Sequence, residues 1–167
     1  MKRVCIVIPT LNESENVKKV LPKVFDTQAN IASYEIHVLI VDGDSNDGTQ
    51  ETIEKLQETY STLKIIVCKK RGLGEAYKAG FSHAIETLNP ELIFEMDADG
   101  QHDPKMIPLF IELIQHDFDC IIGSRFASGG QLINFSFRRK LISKFGNFLI
   151  RVIGGIPNIL DCTSGYR

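Results

Sequence analysis

Short apolar runs alternate along the chain with longer stretches in which apolar residues return every three or four positions. The runs are Arg3–Pro9, Tyr34–Val41, Leu63–Val67, Leu92–Met96 and Cys120–Gly123. They are rich in Val and Ile and lack strict polar alternation, the pattern of strands covered on both faces in a parallel sheet. Helical periodicity lies between them. Val17, Val20, Leu21, Val24 and Phe25 share one face, and Pro22 predicts a kink or a restart there. Thr49–Tyr60 sets Ile53 and Leu56 on a charged background, and Gly74–Ile85 carries a small face of Ala76, Gly80 and Ala84. Asp103 is the expected N-cap, and Pro104 the first residue, of a helix burying Ile107, Phe110, Ile111 and Ile114. The alternation predicts an α/β fold with a doubly wound, mostly parallel central sheet and helices on both faces. No internal repeat or domain boundary is visible, so residues 1–167 are expected to form a single domain.

Composition adds constraints. A chain of 167 residues is long enough for one real core. A formal net charge of −2 supplies no basic field of the kind that nucleic acid would select. The four cysteines (Cys5, Cys68, Cys120 and Cys162) show no metal spacing, and three lie in or beside apolar runs. They are expected as small core hydrophobes in a reducing compartment. The start does not read as a signal peptide, because Pro9, Asn12 and Glu13 follow a short apolar run. No stretch approaches the roughly 20 apolar residues of a membrane span. The last residues, Ser164-Gly165-Tyr166-Arg167, read as neither a helix end nor a polar tail, so truncation at the C-terminus is expected.

In doubly wound sheets ligands bind beyond the carboxyl ends of the strands, so the residues following each run carry the chemistry. Asp97-Ala98-Asp99-Gly100-Gln101-His102 follows the fourth. If that segment is extended, alternation points Asp97, Asp99 and Gln101 the same way as three oxygen ligands. Such donors suit Mg²⁺ or Mn²⁺, which neutralise a departing diphosphate. The second run leads into Asp42-Gly43-Asp44-Ser45-Asn46-Asp47-Gly48-Thr49. There Asp47 or Thr49 can cap the next helix, while Asp42 serves either the turn itself or a ribose hydroxyl or base N–H. Lys69-Lys70-Arg71-Gly72-Leu73-Gly74 is either a phosphate-holding turn at a helix N-terminus or a solvated charge run. Residues 136–154 place Phe137, Leu141, Ile142, Phe145, Phe148, Leu149, Val152 and Ile153 on one broad stripe, with Lys140, Lys144 and Arg151 on the other side. Such a helix either packs on a core or lies in a membrane interface. Arg139, Ser143 and Asn147 share one edge and could clasp an anionic head group. His37, His83 and His116 are expected in packing or surface roles. His102, beside the acidic segment, is equally a packing or a catalytic residue.

Together these segments resemble the inverting, GT-A-fold family 2 glycosyltransferases, within them the dolichol-phosphate mannosyltransferase-like branch. The matching segments are Ile8–Glu13, Val41–Thr49, Arg71–Tyr77, Met96–His102, Ile122–Phe126 and Asp161–Arg167, in the family's order. The resemblance implies that Pro9, Leu11 and Glu13 line a nucleotide-base pocket with Asp42 and Asp44. It implies that Asp97, Asp99 and Gln101, with Ala98 between them, hold metal and donor diphosphate, and that Arg71 and Arg125 face phosphates. Arg139 and Ser143 match the acceptor-phosphate segment, and Arg167 is grouped with them. The chain departs from the family at Leu11, where Tyr is usual, and at Asp42-Gly43-Asp44-Ser45, where Asp-Asp-Gly-Ser is usual.

The implied activity moves a hexose from GDP-mannose or UDP-glucose to a polyprenyl (dolichyl or undecaprenyl) phosphate, at the cytoplasmic face of a membrane and by peripheral association. A phosphate acceptor is already anionic and needs no general base, and no isolated base is evident in the sequence. The alternatives are transfer to a glycan or protein hydroxyl, which demands such a base, and a non-catalytic nucleotide-binding α/β domain.

Overall fold

The computed structural model describes residues 1–69, 72–116, 118–124, 137–155 and 166, with the side chains of 137–144 and 151 outside that set. The chain forms two compact units, Met1–Phe118 and Asp119–Arg167.

The first unit is built on four parallel strands. These are β1 (Lys2–Thr10), β2 (Tyr34–Asp42), β3 (Leu63–Val67) and β4 (Leu92–Glu95), in the order β3-β2-β1-β4. The chain steps outward from β1 to β3, then returns to the other side of β1. The switch point therefore lies between β1 and β4, where such sheets open their ligand crevice. Val4 through Ile8 on β1 and Val38 through Val41 on β2 are almost wholly buried, which explains their unbroken apolar runs. Pro9 is tolerated in a central strand for a definable reason. The Val7 carbonyl accepts from the Met96 amide, so that side of β1 faces β4. Alternation turns the Pro9 nitrogen the same way, but pairing with β4 ends at Val7 and Glu95, and no ladder bond is lost.

Three connecting helices are α1 (Ser14–Asp26), α2 (Thr49–Gln57) and α3 (Leu73–Leu88). Helix α1 runs through Pro22 without the expected restart. The carbonyl deprived of its donor is that of Lys18, an exposed position where water can replace the bond. Helix α3 packs on the face of the sheet formed by Cys5, Val7, Leu39 and Val41. Its closest approach is at Gly80, where a Cβ would lie 2.5 Å from Val7 Cγ1 and 2.8 Å from Val41 Cγ2. The small face anticipated for this helix is thus the sheet contact. The segment after β4 opens as a 3₁₀ turn, Pro104–Met106, with the Asp103 carboxylate accepting from the Lys105 amide at 3.1 Å. It continues as α4 (Ile107–Leu113), which buries Ile107, Phe110 and Ile111.

In the second unit, Cys120–Gly123 is irregular rather than a fifth strand. The Gly123 amide donates to the Tyr166 carbonyl at 2.8 Å. Cys120 is exposed there, unlike Cys5 and Cys68, which are buried and free; burial pushes the Cys5 thiol up to about 12. Helix α5 (Phe137–Gly154) forms as its periodicity predicts. Phe145, Phe148, Leu149, Val152 and Ile153 are exposed along it, while Asn147 is buried. Among the described residues no helix is long and apolar enough to cross a membrane.

Candidate active site

The parallel strands deliver four segments to one end of the sheet: 11–13 after β1, 43–48 after β2, 68–69 after β3 and 96–103 after β4. The first two are sewn together by side chains. The Asn12 amide donates to Ser45 Oγ at 2.8 Å, the Glu13 amide to Thr49 Oγ1 at 3.0 Å, and the Ser14 amide to Asp47 Oδ2 at 3.0 Å. Asn12 Oδ1 in turn accepts from the Asn46 amide at 3.0 Å. The second loop thereby satisfies amide groups at the start of α1 that the helix cannot satisfy itself. The N-cap of α2 is Gly48 rather than Asp47 or Thr49, but Asp47, one residue before it, accepts from the first helical amide, that of Thr49, at 3.1 Å. The Thr49 hydroxyl, with the Ser14 and Thr49 amides, holds the Asp47 carboxyl below its ordinary range.

Asp42 is the centre of this construction and is fully buried. Oδ1 accepts from the Ser45 amide at 2.9 Å and from Gln50 Nε2 at 2.7 Å. Oδ2 accepts from Ser45 Oγ at 2.6 Å and Thr10 Oγ1 at 3.0 Å. Four donors fill the roughly four acceptor sites of a carboxylate. Burial on its own would raise this carboxyl, but the bonds from Ser45, Gln50 and Thr10 outweigh it and hold it below its ordinary value. Of the two roles open to Asp42, the structure displays the turn-organising one; Thr10, Ser45 and Gln50 are the partners that sequence reasoning did not name.

The remaining expected donor-pocket residues surround it. Pro9 is half-buried, Leu11 is 61% exposed, and Glu13 accepts from Asn16 Nδ2. Asp44 is exposed, with Lys69 Nζ at 3.4 Å. Gly43, where the chain departs from the family pattern, sits close to the end of β1. A Cβ at that position would meet Leu11 Cδ1 and the Thr10 carbonyl, both at 3.3 Å.

The loop after β4 is built differently. Strand pairing ends at Glu95, and the chain turns through Ala98 and Asp99 to Gly100, whose φ of 78° suits glycine. The alternation invoked for Asp97, Asp99 and Gln101 therefore does not extend past the strand. The turn is closed by Asp99 Oδ1 accepting from the Gln101 amide at 2.9 Å, local Asx chemistry that overrides the extended conformation. Ala98 is buried, whereas Asp99 and Gln101 are exposed. Asp97 is half-exposed and receives the Tyr77 hydroxyl on Oδ1 at 3.0 Å. Its amide donates to His102 Nδ1 at 2.9 Å, and His102 Nε2 lies 3.8 Å from Asp97 Oδ2. His102 is thus tied to Asp97. Tyr77, whose sequence position carries no evident chemistry, is the residue that reasoning from the chain alone missed.

This donor set suits a hard cation. Among the described residues no group of three or more His, Cys, Asp or Glu side chains is gathered for a metal. An ion here would take the Asp97 and Asp99 carboxylates and the Gln101 amide oxygen, and complete its shell with water and substrate phosphates, as Mg²⁺ and Mn²⁺ sites do. Arg71, Arg125 and Arg167, and the side chains of Arg139 and Ser143, lie outside the described residues.

A doubly wound sheet with carboxylates at its switch point defines the class, and known proteins narrow it. The fold is shared with a mannosyltransferase from Pyrobaculum calidifontis solved with GDP-Man and Mn²⁺ (TM-score 0.53, 23% identity, 66% of this chain and 31% of that one). It is shared equally with S. aureus TarS in complex with UDP-GlcNAc (TM-score 0.53, 20% identity, 70% and 32%). Both are GT-A glycosyltransferases. The Glycosyl transferase family 2 model matches residues 5–167, across both compact units, and the chain belongs to that family. Among curated relatives, a dolichol-phosphate mannosyltransferase of Pyrococcus furiosus is 38% identical over 98% of this chain and 45% of its own length. An undecaprenyl-phosphate mannosyltransferase of Micrococcus luteus is 38% identical over 99% and 65%. A polyprenol monophosphomannose synthase of Mycolicibacterium smegmatis is 34% identical over 99% and 61%. The chain thus spans about half to two thirds of the length of these relatives.

Proposed function

We propose that the chain is the catalytic core of an inverting hexosyltransferase that moves a sugar, mannose foremost, from a nucleoside diphosphate to a polyprenyl phosphate. The single observation that carries this reading is the turn after β4. It presents the exposed Asp99 and half-exposed Asp97 carboxylates at the switch point of the sheet, in a chain related at 34–38% identity to three polyprenyl-phosphate mannosyltransferases.

Pro9, Leu11, Glu13 and Asp44 form the wall against which the base and ribose would lie, and Asp42 fixes that wall from inside. GDP-mannose is the favoured donor because the relatives are named for mannose transfer; UDP-glucose is the competing one. A divalent ion held by Asp97, Asp99 and Gln101 would supply positive charge to the departing diphosphate. Mn²⁺ and Mg²⁺ both suit these oxygen donors. By the family resemblance, Arg71 and Arg125 would face phosphates, and Arg139, Ser143 and Arg167 would receive the acceptor phosphate. A phosphate oxygen attacks the anomeric carbon opposite the leaving group, the C–O bond to the diphosphate breaks, and the centre inverts. The nucleophile is already ionised, so no side chain must take its proton.

Helix α5 supports peripheral action at a membrane. It exposes Phe145, Phe148, Leu149, Val152 and Ile153, and its sequence carries Arg138, Arg139, Lys140, Lys144 and Arg151 with no acidic residue. That combination suits the interface of an anionic, cytoplasm-facing leaflet.

The test is transfer of labelled sugar from GDP-mannose or UDP-glucose to undecaprenyl phosphate in anionic vesicles, with Mn²⁺ or with EDTA. Mn²⁺-dependent appearance of mannolipid is expected. Transfer to a glycan or protein hydroxyl with none to lipid would overturn the acceptor assignment.

A further inference from the structure

We infer that Tyr77 is a positioning residue for the metal site: its hydroxyl fixes the Asp97 carboxylate in its ligating orientation and anchors it to the sheet through α3. The inference rests on the reading that Asp97 holds a divalent ion.

Gly80 brings α3 so close to β1 and β2 that any Cβ there would overlap Val7 and Val41, so the helix backbone lies directly on the sheet. Tyr77 lies three residues earlier, on the same helical face. Its ring is packed in the cluster of Cys5, Val7, Leu39, Val41, Cys68 and Ala84 and tilts against Phe81 with centroids 5.9 Å apart. Such a ring loses few degrees of freedom on delivering a hydrogen bond, because packing has already fixed it. Its hydroxyl reaches past the carboxyl end of the sheet to Asp97 Oδ1, 20 residues along the chain, at 3.0 Å.

Asp97 needs such a support. It follows β4 by two residues, in a segment with no strand partner, and its neighbours turn through Ala98–Gly100. Without an external donor its side chain would sample several rotamers, and each binding event would have to order it. The His102 ring holds the Asp97 backbone through its amide, and the Tyr77 hydroxyl holds the carboxylate. One oxygen is thus occupied by a neutral donor that leaves the negative charge in place for a cation. This division of labour is how outer groups orient metal ligands, and their loss typically weakens metal affinity by about 10- to 100-fold.

The experiment compares wild type, Tyr77→Phe, Asp97→Asn and the double variant. Mn²⁺ alone is titrated and followed by water-proton relaxation, with a thermal melt of each protein in EDTA. Phenylalanine keeps the packed ring and removes only the hydroxyl. Asp97→Asn is expected to lose Mn²⁺ binding, Tyr77→Phe to weaken it by about tenfold with its melt in EDTA unchanged, and the double variant to match Asp97→Asn. Wild-type Mn²⁺ affinity in Tyr77→Phe, with binding lost in Asp97→Asn, would overturn the inference and leave the metal reading standing. Wild-type affinity in Asp97→Asn would overturn the metal reading and the inference with it.

Discussion

The carboxylates at the tips of β2 and β4 have the same chemistry and opposite circumstances. Asp42 is sealed inside the protein, with four donors from Thr10, Ser45 and Gln50 filling its oxygens. Asp97 and Asp99 stand at the surface, with Tyr77, His102 and the Gln101 amide as their close polar neighbours. A saturated, buried carboxylate contributes by holding the backbone together, since each donor it satisfies would otherwise be buried unpaired. A carboxylate with open lone pairs at the crevice contributes by what it can still bind. The acidic residues at the ends of the two strands that flank β1 thus differ through their surroundings, one saturated by donors and the others with lone pairs still open.

The sharpest way to break this comparison is to remove each carboxylate in turn. Asp97→Ala is expected to lower sugar transfer by about 1,000-fold, because the diphosphate loses its charge neutralisation, while the melting temperature stays near that of the wild type. Asp42→Ala should behave in the reverse sense. It strands the Thr10 and Ser45 hydroxyls, the Ser45 amide and the Gln50 amide, at a cost of about 3 kcal/mol in urea unfolding. Equal loss of stability in the two variants would erase the distinction.

A smaller effect probes the platform beneath the β4 tip. Gly80→Ala forces a methyl against Val7 and Val41 and should cost about 2 kcal/mol by overpacking. It should also displace Tyr77, so that Mn²⁺ affinity falls along with stability. Gly43→Ala meets Leu11 Cδ1 and a carbonyl at 3.3 Å and should cost about 1 kcal/mol or less, since Leu11 is exposed and can move aside.

The pH dependence separates the two tips again. Folding lowers the Asp42 carboxyl below its ordinary 3.8. Its ionised form therefore stabilises the fold fully above that value, and the contribution is lost as pH falls through the folded value. Melting temperatures measured below about pH 4 should decline less steeply for Asp42→Asn than for wild type. An identical acid slope would show that Asp42 is not tied to its neighbours as described.

The sequence made the sheet legible because strands covered on both faces leave unbroken apolar runs; Leu63–Val67 was read to the residue. It also placed the strand-end acids at the ligand end, since parallel topology leaves them no other. What it missed depends on three-dimensional detail. Cys120–Gly123 is apolar but forms no strand, because composition alone cannot supply a neighbour to pair with. The alternation of Asp97, Asp99 and Gln101 gave way to a turn that Gly100 and the Asp99 side chain impose. Asp42 was ambiguous because saturation by Thr10 and Gln50 requires knowing that β1 and the start of α2 meet there. Tyr77 was invisible because its contact with Asp97 needs the depth of α3 on the sheet, which Gly80 sets.

The most direct test of the account is calorimetric titration of GDP-mannose into wild type and Asp99→Ala, each with Mn²⁺ and with EDTA. Wild type is expected to bind only with Mn²⁺, and Asp99→Ala to lose that binding while melting as the wild type does. Equal binding by both proteins in EDTA would contradict it and move the donor site away from the turn after β4.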